Sequence, residues 1–144
     1  GLVGSEMCIR DSQQTLYVAQ SDYGIERRRE LRAYPINADG SLGSYTTLHT
    51  FGVDHRGAQR GVDGMTLDVD GNIIVCAGWE AAGPGPMIYV LSPTGRVLAT
   101  HPLRVDRPTN CCFGDADMKT LYVTTGGGYL FRARTEHTGW IMWP

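Results

Sequence analysis

Three short runs rich in apolar, β-branched and aromatic residues echo one another along the chain: Thr15-Leu16-Tyr17-Val18-Ala19-Gln20, Asn72-Ile73-Ile74-Val75-Cys76-Ala77 and Thr120-Leu121-Tyr122-Val123-Thr124-Thr125. Each is followed by a glycine-bearing loop and a second run of the same kind: Leu31-Arg32-Ala33-Tyr34-Pro35-Ile36, Met87-Ile88-Tyr89-Val90-Leu91 and Tyr129-Leu130-Phe131-Arg132-Ala133-Arg134. Runs of this composition bounded by Gly, Pro, Asn and Asp read as strands. No segment carries a helical period. The unit recurs at about 50 residues, the spacing of propeller blades. The pattern predicts an all-β chain of about two and a half to three blades, each a four-stranded antiparallel sheet.

The turns add direction to this pattern. Asn37-Ala38-Asp39-Gly40, Asp68-Val69-Asp70-Gly71 and Ser92-Pro93-Thr94-Gly95 all end in the glycine that tight connections favour. Successive antiparallel strands send their connections to alternate faces. With 64–68 as the inner strand of the middle blade, 69–71 and 92–95 fall on one face. Segments 21–30, 52–63, 78–86, 104–110 and 126–128 fall on the other, so every long connection shares one rim, where binding and catalysis usually reside.

Asp63 belongs to that rim. The run Gly61-Val62-Asp63-Gly64-Met65 sets a carboxylate at the mouth of an apolar strand. It could simply close a turn, but an unpaired charge entering a buried strand is costly, and a metal or polar site would account for it. The spacing from Asp63 to Asp68 equals that from Asn110 to Asp115, which sets Asn110 opposite Asp63 on the next inner strand. Oxygen donors converging from different blades suit a hard divalent cation such as calcium. Glu80, beside Trp79, and His55, beside Arg56, are further candidates to line a pocket on this rim, against the plainer reading of solvated loop residues.

Composition narrows the function classes. A chain of 144 residues that is 42% hydrophobic and 19% charged can bury one ordinary core. A net charge of −2 argues against a nucleic-acid or anionic-membrane footprint. The basic run Arg27-Arg28-Arg29 is flanked by Glu26 and Glu30 and reads as a solvated loop or strand edge. No apolar stretch approaches the roughly 20 residues of a membrane helix. Cys76, Cys111 and Cys112 form no C-x-x-C pattern and read as buried thiols, which leans toward a reducing, cytoplasmic setting. His49, His101 and His137 lack zinc or triad spacing, and Ser44 and Ser92 lack a nucleophile elbow.

The two ends read differently from the middle. Residues 2–12 look like the in-frame translation of a transposase sequencing adapter, so 1–12 are set apart, 13–137 are taken as propeller, and 138–144 as a tail. Trp140 and Trp143 in that tail either cap the bottom of a blade or belong to a frayed end. Any export signal, and with it the cellular location, stays open.

The segments Val62-Asp63-Gly64-Met65-Thr66-Leu67-Asp68, Val90-Leu91-Ser92-Pro93-Thr94-Gly95-Arg96-Val97, Arg107-Pro108-Thr109-Asn110-Cys111-Cys112-Phe113-Gly114 and Thr120-Leu121-Tyr122-Val123-Thr124 resemble, in order and spacing, the C-terminal half of the gluconolactonase/regucalcin (senescence marker protein) family. The resemblance implies part of a six-bladed β-propeller that holds a divalent metal in its central channel and hydrolyses sugar lactones. Calcium is the first expectation for that metal, with zinc, magnesium or manganese as alternatives. The family's D-G-M aspartate is a metal ligand and falls on Asp63, which then holds the ion or takes a proton from the attacking water. The family's other ligands, a first-blade glutamate and an asparagine ahead of the strand at 15–19, have no counterpart here. The expected partner is a small sugar lactone, with neither nucleic acid nor membrane, and the chain by itself is expected to be an inactive fragment. The rival reading is a non-catalytic propeller that binds a ligand or protein through its loop face. An incomplete ring also leaves a blade face uncovered, which predicts aggregation or dimerisation.

Overall fold

The computed structural model describes residues 7–9, 14–22 and 24–141, with backbone alone at 7–9. Strands β1 (Met7–Ile9), β2 (Thr15–Gln20), β3 (Arg29–Pro35) and β4 (Thr46–Phe51) form one antiparallel sheet in chain order. Strands β5 (Val53–Asp54) and β6 (Gly57–Ala58) make a small hairpin. Strands β7 (Val62–Leu67), β8 (Ile73–Trp79), β9 (Ala82–Leu91) and β10 (Val97–Pro102) form the second four-stranded sheet. Strands β11 (Pro108–Gly114), β12 (Thr120–Thr125) and β13 (Leu130–Arg134) form a third. The described residues contain no helix, and the three meanders are blades of a partial β-propeller. Met7–Ile9, inside the adapter-like segment, lies beside β2 with Met7 opposite Val18; the rest of that segment lies outside the described residues.

Period-2 alternation on β8 explains how the blades hold together. Ile73, Val75 and Ala77 join Tyr17, Ala19, Leu31 and Phe51 of the first blade in one apolar cluster. Ile74 and Cys76 point the other way, into a second cluster with Cys111, Phe113, Leu121 and Val123 of the third blade. A strand buried on both faces must be apolar throughout, which is why 73–77 reads as an unbroken run. Among the described residues, each outer blade packs one of its faces on the middle blade.

The contacts follow the parity of the turns. On the rim, Ser21 Oγ donates to the carbonyl of Val62, the Glu80 N–H to Asp106 Oδ1 at 2.8 Å, and the Gly126 N–H to the carbonyl of Arg107 at 2.8 Å. Segments 21–30, 52–63, 78–86, 104–110 and 126–128 therefore form one surface.

Three local expectations are corrected. Segment 78–86 is largely a hairpin, with Trp79 opposite Ala82. Its Gly78, with φ of 80°, lets the carbonyl of Gly85 approach where a Cβ would stand, so this glycine makes a bulge rather than a loop. Arg29 is buried instead of solvated, because β3 begins there and turns it inward to donate to the carbonyls of Gly24 at 2.8 Å and Arg27 at 2.9 Å. Cys112 is exposed, since alternation puts it on the uncovered side of β11 while Cys111 faces the core.

Two carboxylates pin the loops at opposite ends of the middle blade. On the rim, Asp54 accepts from the N–H groups of Gly83 and Arg56, both at 2.8 Å, and from Arg56 Nη2 at 2.9 Å, so the β5–β6 hairpin is fastened to the β8–β9 turn. Those contacts, the Gly83 N–H first, hold its carboxyl down at about 2. At the other end, the fully buried Asp68 carboxylate accepts from Asp70 N at 3.0 Å, Asn72 N at 2.8 Å and Asn72 Nδ2 at 2.8 Å, and His137 Nδ1 lies 2.7 Å away. This closes the turn after β7 and docks the segment beyond β13. There Val69 N donates to the Thr138 carbonyl at 2.9 Å and Trp140 N to that of Leu67 at 3.0 Å. Trp140 packs against the first core cluster and so caps the blade bottom; Trp143 lies outside the described residues.

Asp68→Ala would leave buried donors unsatisfied and free the docked segment, and is expected to lower unfolding free energy by roughly 3 kcal/mol in urea titrations, with a loss under about 0.5 kcal/mol contradicting the latch. The Asp54 contact follows a different rule. Because its folded carboxyl titrates below the ordinary value, its contribution is complete above about pH 4 and disappears as the pH falls toward about 2. The Gly83 amide resonance should therefore shift with a midpoint near 2; a midpoint near the ordinary carboxylate value would show the contact is not made.

Candidate functional site

Two irregularities lie side by side on neighbouring inner strands. The β7–β8 ladder slips between Val62 and Met65, and the β11–β12 ladder slips between Pro108 and Asn110. Asp63 and Gly64 occupy the first break and Thr109 and Asn110 border the second. Such bulges bend a strand and re-aim its side chains, and they recur beside active sites.

Gly64 sets the spacing between them. A Cβ at that position would stand 2.6 Å from the carbonyl oxygen of Thr109 and 2.6 Å from Asn110 Cγ. Only the missing side chain lets the third blade's inner strand come this close. The equal spacing seen in the sequence thus becomes contact in space, with the Asn110 amide against the residue that follows Asp63. Asn110 Oδ1 accepts the N–H of Cys111 at 2.8 Å, which leaves that oxygen a further lone pair.

Asp63 is half-exposed and is paired. Arg60, only 8% exposed, donates from Nη2 to Asp63 Oδ2. Its Nη1 donates to the Pro108 carbonyl at 2.7 Å, with the Gly78 carbonyl at 3.4 Å. One planar guanidinium therefore ties the entry of β7 to the end of β8 and the start of β11, a reach suited to its rigid fork of donors. Arg60 answers the question the sequence posed about an unpaired carboxylate. It was legible only as an Arg three residues ahead of Asp63, a spacing with no meaning until the bulge folds it back.

The other candidates stand apart from this pair. His55 is exposed in the connection between β5 and β6, a hairpin held through Asp54 and Arg56. Glu80 is exposed at the β8–β9 turn, its backbone N–H bound to Asp106. Trp79 donates its indole N–H to the Ala58 carbonyl at 3.1 Å, which helps seat the β5–β6 hairpin. These residues border the rim above the bulges. Of the histidines, His49 stacks edge-on against Phe51 in the core, where burial pushes its pKa down, and His137 serves the Asp68 latch.

The donor set has the right chemistry for a hard cation and falls short of a whole site. Asp63 Oδ1 and Asn110 Oδ1 are two oxygens, whereas calcium takes about six to eight. Asp63 Oδ2 is already engaged by a cationic side chain. The described residues contain no group of three or more His, Cys, Asp or Glu side chains that could hold a metal ion. A cleft of about 650 Å³ between the second and third blades, lined by Ile74, Phe113, Leu121, His101 and Arg132, shares no residue with Asp63. It is the space left as two blades diverge away from the axis.

Comparison with known proteins accords with this architecture. Residues 5–127 match the family described as SMP-30/Gluconolactonase/LRE-like region. Regucalcin of Bos taurus is 43% identical over 63 residues, which is 43% of this chain and 19% of that protein. The 6-deoxy-6-sulfogluconolactonase of Pseudomonas putida is 36% identical over 95 residues, 66% of this chain and 30% of that protein. The solved structure of a luciferin-regenerating enzyme superposes with a TM-score of 0.73 at 20% identity, covering 94% of this chain and 47% of that one, a likeness of fold. The match thus spans 19% and 30% of these two curated relatives and 47% of the solved chain. With a family match over residues 5–127, most of the chain, the chain belongs to the SMP-30/gluconolactonase/LRE-like family.

Proposed function

We propose that this chain carries the Asp63-bearing part of a sugar-lactone hydrolase that works with a divalent cation, calcium first among the candidates. The observation that carries the reading is the pair of bulges that sets Asn110 against Gly64, the residue after Asp63, at the rim end of two inner strands. The name of the Pseudomonas putida relative supplies the substrate class, a lactone of a sugar acid. A bound cation would polarise the lactone carbonyl and acidify a water.

This chain's own residues have distinct tasks in that scheme. Asp63 offers Oδ1 as a donor or as acceptor for a water proton. Arg60, bound to Oδ2 and to two backbone carbonyls, fixes the orientation of the carboxylate. The Asn110 amide adds an oxygen donor and, through Nδ2, a hydrogen bond for a sugar hydroxyl. His55 and Glu80 on the rim frame the approach to the site. Engagement of Asp63 by Arg60 favours a second reading, in which the carboxylate is a structural anchor and the rim binds a ligand without hydrolysing it.

Mutagenesis separates the two. In a chain that spans the relatives' full length, Asp63→Asn is expected to lower metal-dependent lactone turnover by more than the roughly 10- to 100-fold lost with an outer-shell partner. Unchanged turnover would overturn the hydrolase reading. Arg60→Lys keeps the charge but cannot reach Asp63 and Pro108 together, so calorimetric titration should show cation affinity weakened by about 10-fold or more, with the fold retained. Equal affinity would make Arg60 a purely structural residue.

A further inference from the structure

Arg60 grips Asp63 from a stretch of backbone, residues 59–61, that links β6 to β7 and belongs to no strand. No sheet ladder therefore holds the base of this side chain. Immediately before it stands the β5–β6 hairpin, whose strands are two residues each. A hairpin that short does not keep its own shape in water. Its place, and with it the place of Arg60, must come from what it is tied to.

The ties form a series of rungs between 54–60 and 78–83. At the outer end Asp54 accepts the Gly83 N–H at 2.8 Å, while Arg56 donates to the Gly83 carbonyl and, at 3.5 Å, to that of Glu80. Gln59 packs against Gly83, where a Cβ would stand 2.6 Å from the Gln59 Cγ. Next, the Trp79 indole N–H reaches the Ala58 carbonyl at 3.1 Å. The innermost rung is the Gly78 N–H on the Arg60 carbonyl at 2.9 Å. Beyond it the Arg60 guanidinium spans Asp63 and the Pro108 carbonyl. Because the Asp54 carboxyl is held down at about 2, it is charged at neutral pH and the outer rung is always made.

We propose that Asp54 and Trp79 are positioning residues: the rungs they make hold Arg60 in place, and through Arg60 they set the direction of the Asp63 carboxylate. Both act through another side chain and neither is assigned a contact with substrate. The proposal rests on the hydrolase reading for the use made of that direction, whereas the hold on Arg60 stands without it. A displacement of about 1 Å at a reacting group can cost roughly 100-fold in rate. Loss of one rung among several falls below that, at about 10-fold, the lower end of what an outer-shell partner contributes.

Two variants test it, both outside the apolar clusters and expected to fold by circular dichroism. Trp79→Phe keeps an aromatic ring and removes the indole N–H; Asp54→Ala removes the outer rung. In the 144-residue chain, nuclear magnetic resonance reads solvent exchange of the Arg60 guanidinium protons and of the Gly78 amide. Each variant should speed both by about 10-fold or more, as local opening does. The Asn72 amide, bound to Asp68 at the other end of the blade, should exchange as before. In a chain that spans the relatives' full length, kcat for lactone hydrolysis should fall about 10-fold with KM moved by less than about twofold. Asp54→Asn, which keeps an acceptor for the Gly83 N–H, should recover part of that loss. Unchanged Arg60 exchange, faster exchange with kcat untouched, or equal acceleration at Asn72 would each overturn the proposal. A parent chain without lactone turnover would remove the hydrolase reading alone, since Arg60 exchange still decides the positioning.

Discussion

A blade of this fold is stable only when something apolar lies on each of its faces. A twisted four-stranded sheet cannot shield its own two sides, and β8 shows the solution at its most complete, with alternate side chains committed to opposite neighbours. The remaining features follow from that stacking. Antiparallel strands that succeed one another outward from the axis must turn at alternate ends, so the long connections gather on one rim and the tight ones on the other. The inner strands crowd around an axis, and their rim ends become the natural place for polar groups from different blades to meet.

That crowding is managed by backbone irregularity. Regular ladders on β7 and β11 would keep alternate side chains in the blade interfaces throughout. The paired slips at 62–65 and 108–110 instead give Asp63 and Asn110 another direction, and Arg60 fills the polar space behind them. A guanidinium with only 8% exposure is tolerable because a carboxylate and backbone carbonyls receive its donors. Charge, bulge and backbone carbonyl thus form one unit, and the site is built into the joint between two blades.

The strands, the turns and the sidedness of the loops were legible because they rest on period-2 alternation and on glycine-ended turns, both local signals. The approach of Asn110 to the Asp63-Gly64 step was foreshadowed by equal spacing within a repeat. What escaped reading depends on groups brought together by folding. Arg60 finds backbone carbonyls 18 and 48 residues away, which no pattern near Gln59-Arg60-Gly61 records. Glycine misled at 78–86 because one residue type serves loop and bulge alike, and only the approach of Gly85 distinguishes them. Arg29 was hidden by its exposed neighbours Arg27 and Arg28, since a charge run conceals the one member that strand alternation turns inward.

The contact between Gly64 and Asn110 ties the spacing of the two bulges to the spacing of two blades. A substitution that repacks the interface elsewhere, at Cys111 or Ile74 for instance, is therefore transmitted to Asp63 and Asn110 as a displacement. Such coupling freezes the centre of the ring against gradual change and leaves the rim free to drift. Divergence of specificity in a scaffold of this kind should consequently run through the lengths and sequences of the connecting segments, with the bulged inner strands inherited almost as a fixed part.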